Sequence, residues 1–234
     1  ENLTVEAGSI NVKKASCGLK SAGITIRGGN LTLTSTADPV YCTRGFPTGY
    51  DDGSELSVTG GITVLNPLIG TGLYCNGSAS IAGGTLVIQG PPAAPGLAAD
   101  VKGSFAVNGG MFIASGPACG SMIKGPDAAS MQNSILINGP SSDPQTATIF
   151  PSDMFIDVRD QSGQYLVTYK PSKTAYYIIF SSPGLITGSA YRIYTAGTYT
   201  GGTSSNGLYS GGYFTPGTLK KSFNISSGVT ELDF

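Results

Sequence analysis

Two tyrosines and a lysine are the first residues in this chain whose types and spacing could do chemistry. Tyr41 and Tyr74 each stand at the centre of a short triplet, Val40-Tyr41-Cys42 and Leu73-Tyr74-Cys75, and Leu19-Lys20-Ser21 occupies the equivalent place further up the chain. In a strand, alternate side chains point to opposite faces. Stacked triplets would therefore turn Leu19, Val40 and Leu73 inward with Ser21, Cys42 and Cys75, and set Lys20, Tyr41 and Tyr74 in one outward column. A tyrosine ring suits the apolar C–H face of a sugar ring. Its hydroxyl and the lysine ammonium suit sugar hydroxyls or a uronate carboxylate. The same column could instead be a ladder that stabilises the sheet, as cross-strand aromatic pairs do. Outlying aromatic candidates are Tyr199, Tyr209 and Tyr213 in a Gly-rich tail.

Acidic residues are the second set. Asp51, Asp52 and Glu55 fall within five residues, with Asp38 before them and Asp100 further on. Calcium takes several oxygen ligands, carboxylates among them, so Asp51, Asp52 and Glu55 are the candidate metal ligands. Asp-Asp-Gly is also an ordinary turn, and the spacing is not that of a known calcium loop. Of the four cysteines, Cys42 and Cys75 would stack on adjacent rungs about 4.8 Å apart, within reach of a disulfide and equally suited to free packing. Cys17 and Cys119 lie too far apart in the repeat to bond.

Catalysis has few candidates. The chain has no histidine, which removes Ser-His and Cys-His triads. Lyase chemistry would need an Arg or Lys base beside calcium-bound carboxylates, and Arg27 and Arg44 are the arginines in the repeat region. Glycoside hydrolysis needs two carboxylates at a defined separation, and no spacing among the 14 acidic residues identifies a pair.

The elements that must position these residues are read from a repeated motif. Gly28-Gly29, Gly60-Gly61, Gly83-Gly84 and Gly109-Gly110 each separate two alternating apolar/polar segments, and Ala7-Gly8 is a weaker copy. The copies are 21, 32, 23 and 26 residues apart. Repeats of this period mark a solenoid. Two strands around each Gly-Gly bend and a third at the triplet give three strands per turn, the arithmetic of a parallel β-helix. Only 12 % of the chain is charged, with 35 Gly, 12 Tyr and no Trp, which fits short strands joined by glycine turns. The expected fold is all-β, a single-stranded right-handed parallel β-helix in one domain over 1–234. Regular coils are expected over 1–145, with final coils and a cap over 146–234. A solenoid end needs such a cap because it exposes apolar residues and unpaired backbone. Phe155–Val158 and Tyr165–Thr168 around Asp160-Gln161-Ser162-Gly163 read as a hairpin.

Segments of the chain also resemble a known family. The run Gly18-Leu19-Lys20-Ser21-Ala22-Gly23-Ile24-Thr25-Ile26-Arg27-Gly28-Gly29-Asn30-Leu31-Thr32-Leu33 is similar to the repeat of the bacterial carbohydrate-binding family with a pectate-lyase-like β-helix. So is the ordered tail, with Phe180-Ser181-Ser182-Pro183, Tyr191-Arg192-Ile193-Tyr194-Thr195, Tyr199-Thr200-Gly201-Gly202-Thr203 and Ser222-Phe223-Asn224-Ile225-Ser226. Together these span nearly the whole chain. The resemblance implies a surface protein that binds plant polysaccharides, acidic pectic ones included, with bound calcium and no established catalysis. Family repeats often carry Asp in the turn where this chain has Ala22.

The expectation is thus a non-catalytic polysaccharide-binding protein of the bacterial cell surface or secretome, with calcium as a possible cofactor. Two other readings stay open: a calcium-dependent polysaccharide lyase or hydrolase, and an adhesin or spacer that binds protein. A net charge of −1 argues against nucleic acid, which calls for a basic footprint. No apolar run approaches a membrane span.

Overall fold

The structure is a computed structural model that describes residues 1–45, 50–138, 149–226 and 228–233. Its first part follows the repeat. The first repeat holds β1 (Asn2–Val5), β2 (Ser9–Val12) and β3 (Leu19–Ser21). The second holds β4 (Gly23–Ile26), β5 (Asn30–Ser35) and β6 (Val40–Cys42), and the third β7 (Glu55–Val58), β8 (Ile62–Pro67) and β9 (Leu73–Cys75). In the fourth, the first two segments run on as one strand, β10 (Ser78–Gln89), before β11 (Ala99–Val101); in the fifth, β12 (Phe105–Gly116) does the same.

Like segments pair in parallel, residue above equivalent residue. Leu3, Ile24, Leu56, Ala79 and Phe105 form one column of the first ladder. Leu33, Leu65, Ile88 and Ala114 form a column of the second, and Leu19, Val40, Leu73 and Ala99 a column of the third. Nearly all of these side chains are buried in one core that the three ladders share. No repeat could bury its apolar face alone, so each depends on its neighbours.

The Gly-Gly bends have a steric cause. Gly61 adopts φ +77°, and a Cβ built there would lie 2.5 Å from the Gly29 carbonyl oxygen one repeat earlier. Gly84 and Gly110 repeat the conformation, with a built Cβ 2.6 and 2.5 Å from the backbone of the preceding bend. Left-handed backbone and close approach coincide, so only glycine stacks here.

After β12 the order changes. The strands β13 (Ser134–Asn138), β14 (Ile156–Asp160), β15 (Tyr165–Tyr169), β16 (Tyr177–Ser181), β17 (Ala190–Ser205), β18 (Leu208–Asn224) and β19 (Val229–Asp233) complete the chain. Strand β16 lies between β12 and β13 and is antiparallel to both, with β19 parallel to β13 at the edge. The large sheet is therefore mixed from β12 onward, where further parallel coils were expected before the cap. Where a third strand of the fifth repeat would fall, a 3-10 turn occupies Gly120–Met122. The boundary expected at residue 145 lies outside the described residues.

Strands β14, β15, β18 and β17 close into a four-stranded antiparallel barrel. The β14–β15 hairpin turns at Asp160–Gly163 as read from sequence. The β17–β18 hairpin turns at Asn206-Gly207, φ 54° and 85°, the positive pair that a two-residue hairpin turn requires. The barrel packs on the outer face of the second ladder. That face carries Asn11 and Thr32 in the first two repeats, then Val64, Val87 and Ile113, and the three apolar residues are buried with Ile156, Val158 and Ile193 of the barrel in a second core.

A polar clamp fixes the barrel in place. Gln89, at the end of β10 and 3 % exposed, accepts hydrogen bonds at Oε1 from the Tyr169 hydroxyl (2.9 Å) and the Ser172 amide (3.0 Å). Its Nε2 donates to the Asn206 carbonyl in the hairpin turn at 2.9 Å. Beside it, Lys173 Nζ donates to the carbonyls of Pro67, Gln89 and Gly90 at 2.6, 2.9 and 3.1 Å.

Candidate functional site

The third ladder, β3-β6-β9-β11, brings together the three residues picked from sequence. Lys20 stands opposite Tyr41, and Tyr41 opposite Tyr74. Their neighbours Val40, Cys42, Leu73 and Cys75 are buried, while Lys20 is exposed and both tyrosines are half-buried. The alternation that turns them outward is the one read from the triplets.

Geometry adds detail that the spacing did not hold. The tyrosine rings are 5.1 Å apart at 88°, edge to face. They do not form one flat platform; one presents a face and the other an edge. The Lys20 ammonium sits 4.8 Å from the centre of the Tyr41 ring. Lys102 sits 5.7 Å from that of Tyr74.

Two residues extend the site beyond the sequence reading. Asp100 continues the column as the partner of Tyr74 in β11, and Lys102 pairs with it at 2.8 Å. The signal was present in Ala99-Asp100-Val101, which repeats the apolar-polar-apolar triplet. The loop through Pro91 to Pro95 weakens that signal, because it lengthens the spacing from the Gly83-Gly84 bend to the triplet. The column thus reads Lys20, Tyr41, Tyr74, Asp100, with Lys102 at its side.

Asp38 borders the column from the turn before β6. Burial raises its carboxyl above the ordinary range, the Thr71 amide (2.7 Å) opposes that, and the nearby Asp100 charge adds to it. Burial also raises the Tyr74 hydroxyl, against the pull of Lys102.

The acidic stretch is arranged differently. Asp52 accepts from the Arg44 amide (2.7 Å) and the Thr43 hydroxyl (3.3 Å) at Oδ2, and from the Ser54 amide (2.9 Å) at Oδ1. Burial acts to raise its carboxyl, but these bonds outweigh that and hold it at about 2. Asp51 accepts from the Gly53 amide at 2.9 Å, and Glu55 lies exposed at the start of β7. Asp51 and Asp52 build a hydrogen-bonded turn, and Glu55 follows it on the strand. Among the described residues, no group of three or more His, Cys, Asp or Glu side chains could hold a metal ion. Part of the insertion that contains Asp51, residues 46–49, lies outside the described residues.

Cys42 and Cys75 stack on adjacent rungs as expected, and both are free and fully buried. Of the outlying tyrosines, Tyr199 and Tyr209 meet with ring centres 5.0 Å apart and share Phe155, while Tyr213 is 62 % exposed. Among the described residues, no helix is long and apolar enough to cross a membrane. No family model, curated protein or solved structure matches the chain.

Proposed function

We propose that the chain is a non-catalytic polysaccharide-binding protein of the cell surface or secretome, and that the third ladder is its binding face. The observation that supports this reading is the column Lys20, Tyr41, Tyr74, Asp100 with Lys102 at its side. It sets two aromatic rings, two ammonium groups and a carboxylate along a ladder whose rungs repeat at about 4.8 Å. Such a face is preformed by the core beneath it, so a glycan loses freedom on binding but the protein loses little. A uronate carboxylate would draw Lys20 and Lys102 off the rings and uncover the Tyr41 and Tyr74 faces for sugar C–H groups. The finer description of the fold belongs to the same proposal: the three parallel ladders are coils of a parallel β-helix, right-handed by the general rule for parallel crossovers, as in the carbohydrate-binding family that the sequence resembles.

The test is a screen of neutral and acidic plant polysaccharides, run with calcium and with chelator, on the native chain and on Tyr41→Ala/Tyr74→Ala. Removing the two rings is expected to weaken binding by about tenfold or more. The edge-to-face pair contributes about 1 kcal/mol to stability, so Tm should fall by only about 2–4 °C. Unchanged affinity in the double variant would discard this face as the site. Loss of binding with chelator would place calcium between glycan and protein. Release of unsaturated or reducing ends from pectin would favour a lyase or hydrolase, and a blank screen alongside binding to matrix proteins would favour an adhesin.

A further inference from the structure

A second site lies on the other side of the molecule, in a cleft of about 460 Å³ between the second ladder and the barrel. It exists because two barrel strands part. β15 and β18 pair only at Thr168–Tyr209 and Tyr169–Leu208. Beyond that point β15 stays with β14, while β18 follows β17 out along the long hairpin. Residues 165–168 and 209–212 therefore line opposite sides of a gap, and the outer face of the second ladder forms its floor. The Tyr165 hydroxyl, which donates to the Phe214 carbonyl at 3.3 Å, bridges the two strands.

The floor is apolar where a solvent-facing strand would be polar. Ile62, Val87 and Met111 line it, and Ile62 remains 44 % exposed. Val64 and Ile113 on the same face are covered by the barrel, but the cleft leaves part of this surface open. Tyr199 and Tyr209 add aromatic surface. Leu166, Val167 and Leu208 add further apolar surface, and the polar lining includes Thr85, Ser205, Asn206 and Ser210. Among the described residues, no Asp, Glu, Lys or Arg lines the cleft.

We propose that this cleft binds one end of an uncharged glycan, one or two neutral sugar rings. The lack of any charged lining group disfavours uronates, phosphates and amines, whose desolvation would go uncompensated. An acyl chain would leave the hydroxyl and amide rim unpaired. A neutral sugar ring matches both surfaces, with its C–H face on Ile62, Met111 and Tyr209 and its hydroxyls at the rim. The volume lies within the usual range of small-ligand pockets, roughly 300–1,000 Å³. The Gln89 hydrogen bond to the Asn206 carbonyl holds the hairpin turn over the ladder, so the cleft is set before a ligand arrives. This inference does not rest on the third ladder, which lies in a different sheet and carries charge.

Saturation-transfer NMR with cellobiose, xylobiose, mannobiose and galactobiose, and with digalacturonate as the charged counterpart, tests it. All samples carry Tyr41→Ala/Tyr74→Ala, which removes the other face, and in that background at least one neutral disaccharide should give a signal that Tyr209→Ala reduces by about tenfold. Ser210→Arg, an exposed rim change that leaves the core intact, should abolish the same signal and covers the case in which Tyr209→Ala disturbs the barrel. Silence from all four neutral disaccharides overturns the proposal, as does a signal that survives Ser210→Arg or digalacturonate binding that Ser210→Arg removes. Because the Tyr41–Tyr74 face is removed in every sample, each of these outcomes reports on the cleft alone, and the two sites stand or fall separately.

Discussion

At the scale of single residues, the outward column was legible because alternation in a three-residue strand needs only its neighbours to be apolar. Tyr41 and Tyr74 could be placed on one line from Val40, Cys42, Leu73 and Cys75 alone. The edge-to-face ring angle, the ammonium groups over the rings and the Lys102–Asp100 pair could not, since these depend on rotamers and on a loop of unusual length. Asp52 shows the same limit: its position beside Asp51 suggested a metal ligand or a turn, and its hydrogen bonds to Thr43, Arg44 and Ser54 could not be read from spacing. That arrangement has a sign with pH. Its folded carboxyl lies at about 2 against an ordinary 3.8. A lowered folded value means that the charged form stabilises the fold above the ordinary value, and that this contribution is lost as pH falls through about 2. In Asp52→Ala the turn loses its acceptor at all pH values. The gap in Tm between native chain and variant should therefore be widest at neutral pH and narrow below 3.8, followed by thermal melts across the acid range. A gap independent of pH would show that the carboxylate charge does not hold the turn.

At the scale of elements, the Gly-Gly bends carry the repeat. Their sequence signal was strong because left-handed backbone and a carbonyl in close approach both demand glycine at the same position. Gly61→Ala meets both obstacles at once. It should cost on the order of 3 kcal/mol, read from denaturant unfolding, with the loss of hydrogen-exchange protection centred on β5, β8 and β10. Gly45→Ala makes the contrast: φ is also positive at +88°, but a Cβ there meets nothing within 4 Å, so its cost should be smaller. The C-terminal strands were less legible. The hairpin at Asp160–Gly163 was announced by its turn residues, but nothing local distinguishes a strand that adds in parallel from one that adds antiparallel. Tyr177-Ile178-Ile179-Phe180 is buried throughout, and such a run suits either direction.

At the scale of the whole molecule, the barrel's seat was written in the sequence in a form that is easy to pass over. Thr85-Leu86-Val87-Ile88 lacks the alternation of Leu31-Thr32-Leu33-Thr34. Loss of alternation means burial on both faces. Here one face meets the shared core of the ladders and the other meets the barrel. The polar clamp then joins the two bodies through a few atoms. Gln89→Leu removes the acceptor of the Tyr169 hydroxyl and the Ser172 amide and the donor to Asn206, three hydrogen bonds across the joint, while the Tyr169 hydroxyl keeps Ser115 at 3.1 Å. It should cost about 2–4 kcal/mol. Hydrogen exchange should show β14, β15 and the β17–β18 hairpin opening before the ladders; uniform loss of protection would mean that ladders and barrel unfold as one unit.

The antiparallel strand β16 also bears on how such a chain can grow. Another rung copied after β12 would have to displace a strand that runs the wrong way and is already paired on both sides. Between β4 and β7 the stack has no such stop, and the barrel touches the outer face only from Val64 onward. Gain or loss of a repeat by duplication is therefore open at the early rungs, where it would lengthen the tyrosine-bearing face by one step, and closed at the late ones, where it would unseat the barrel.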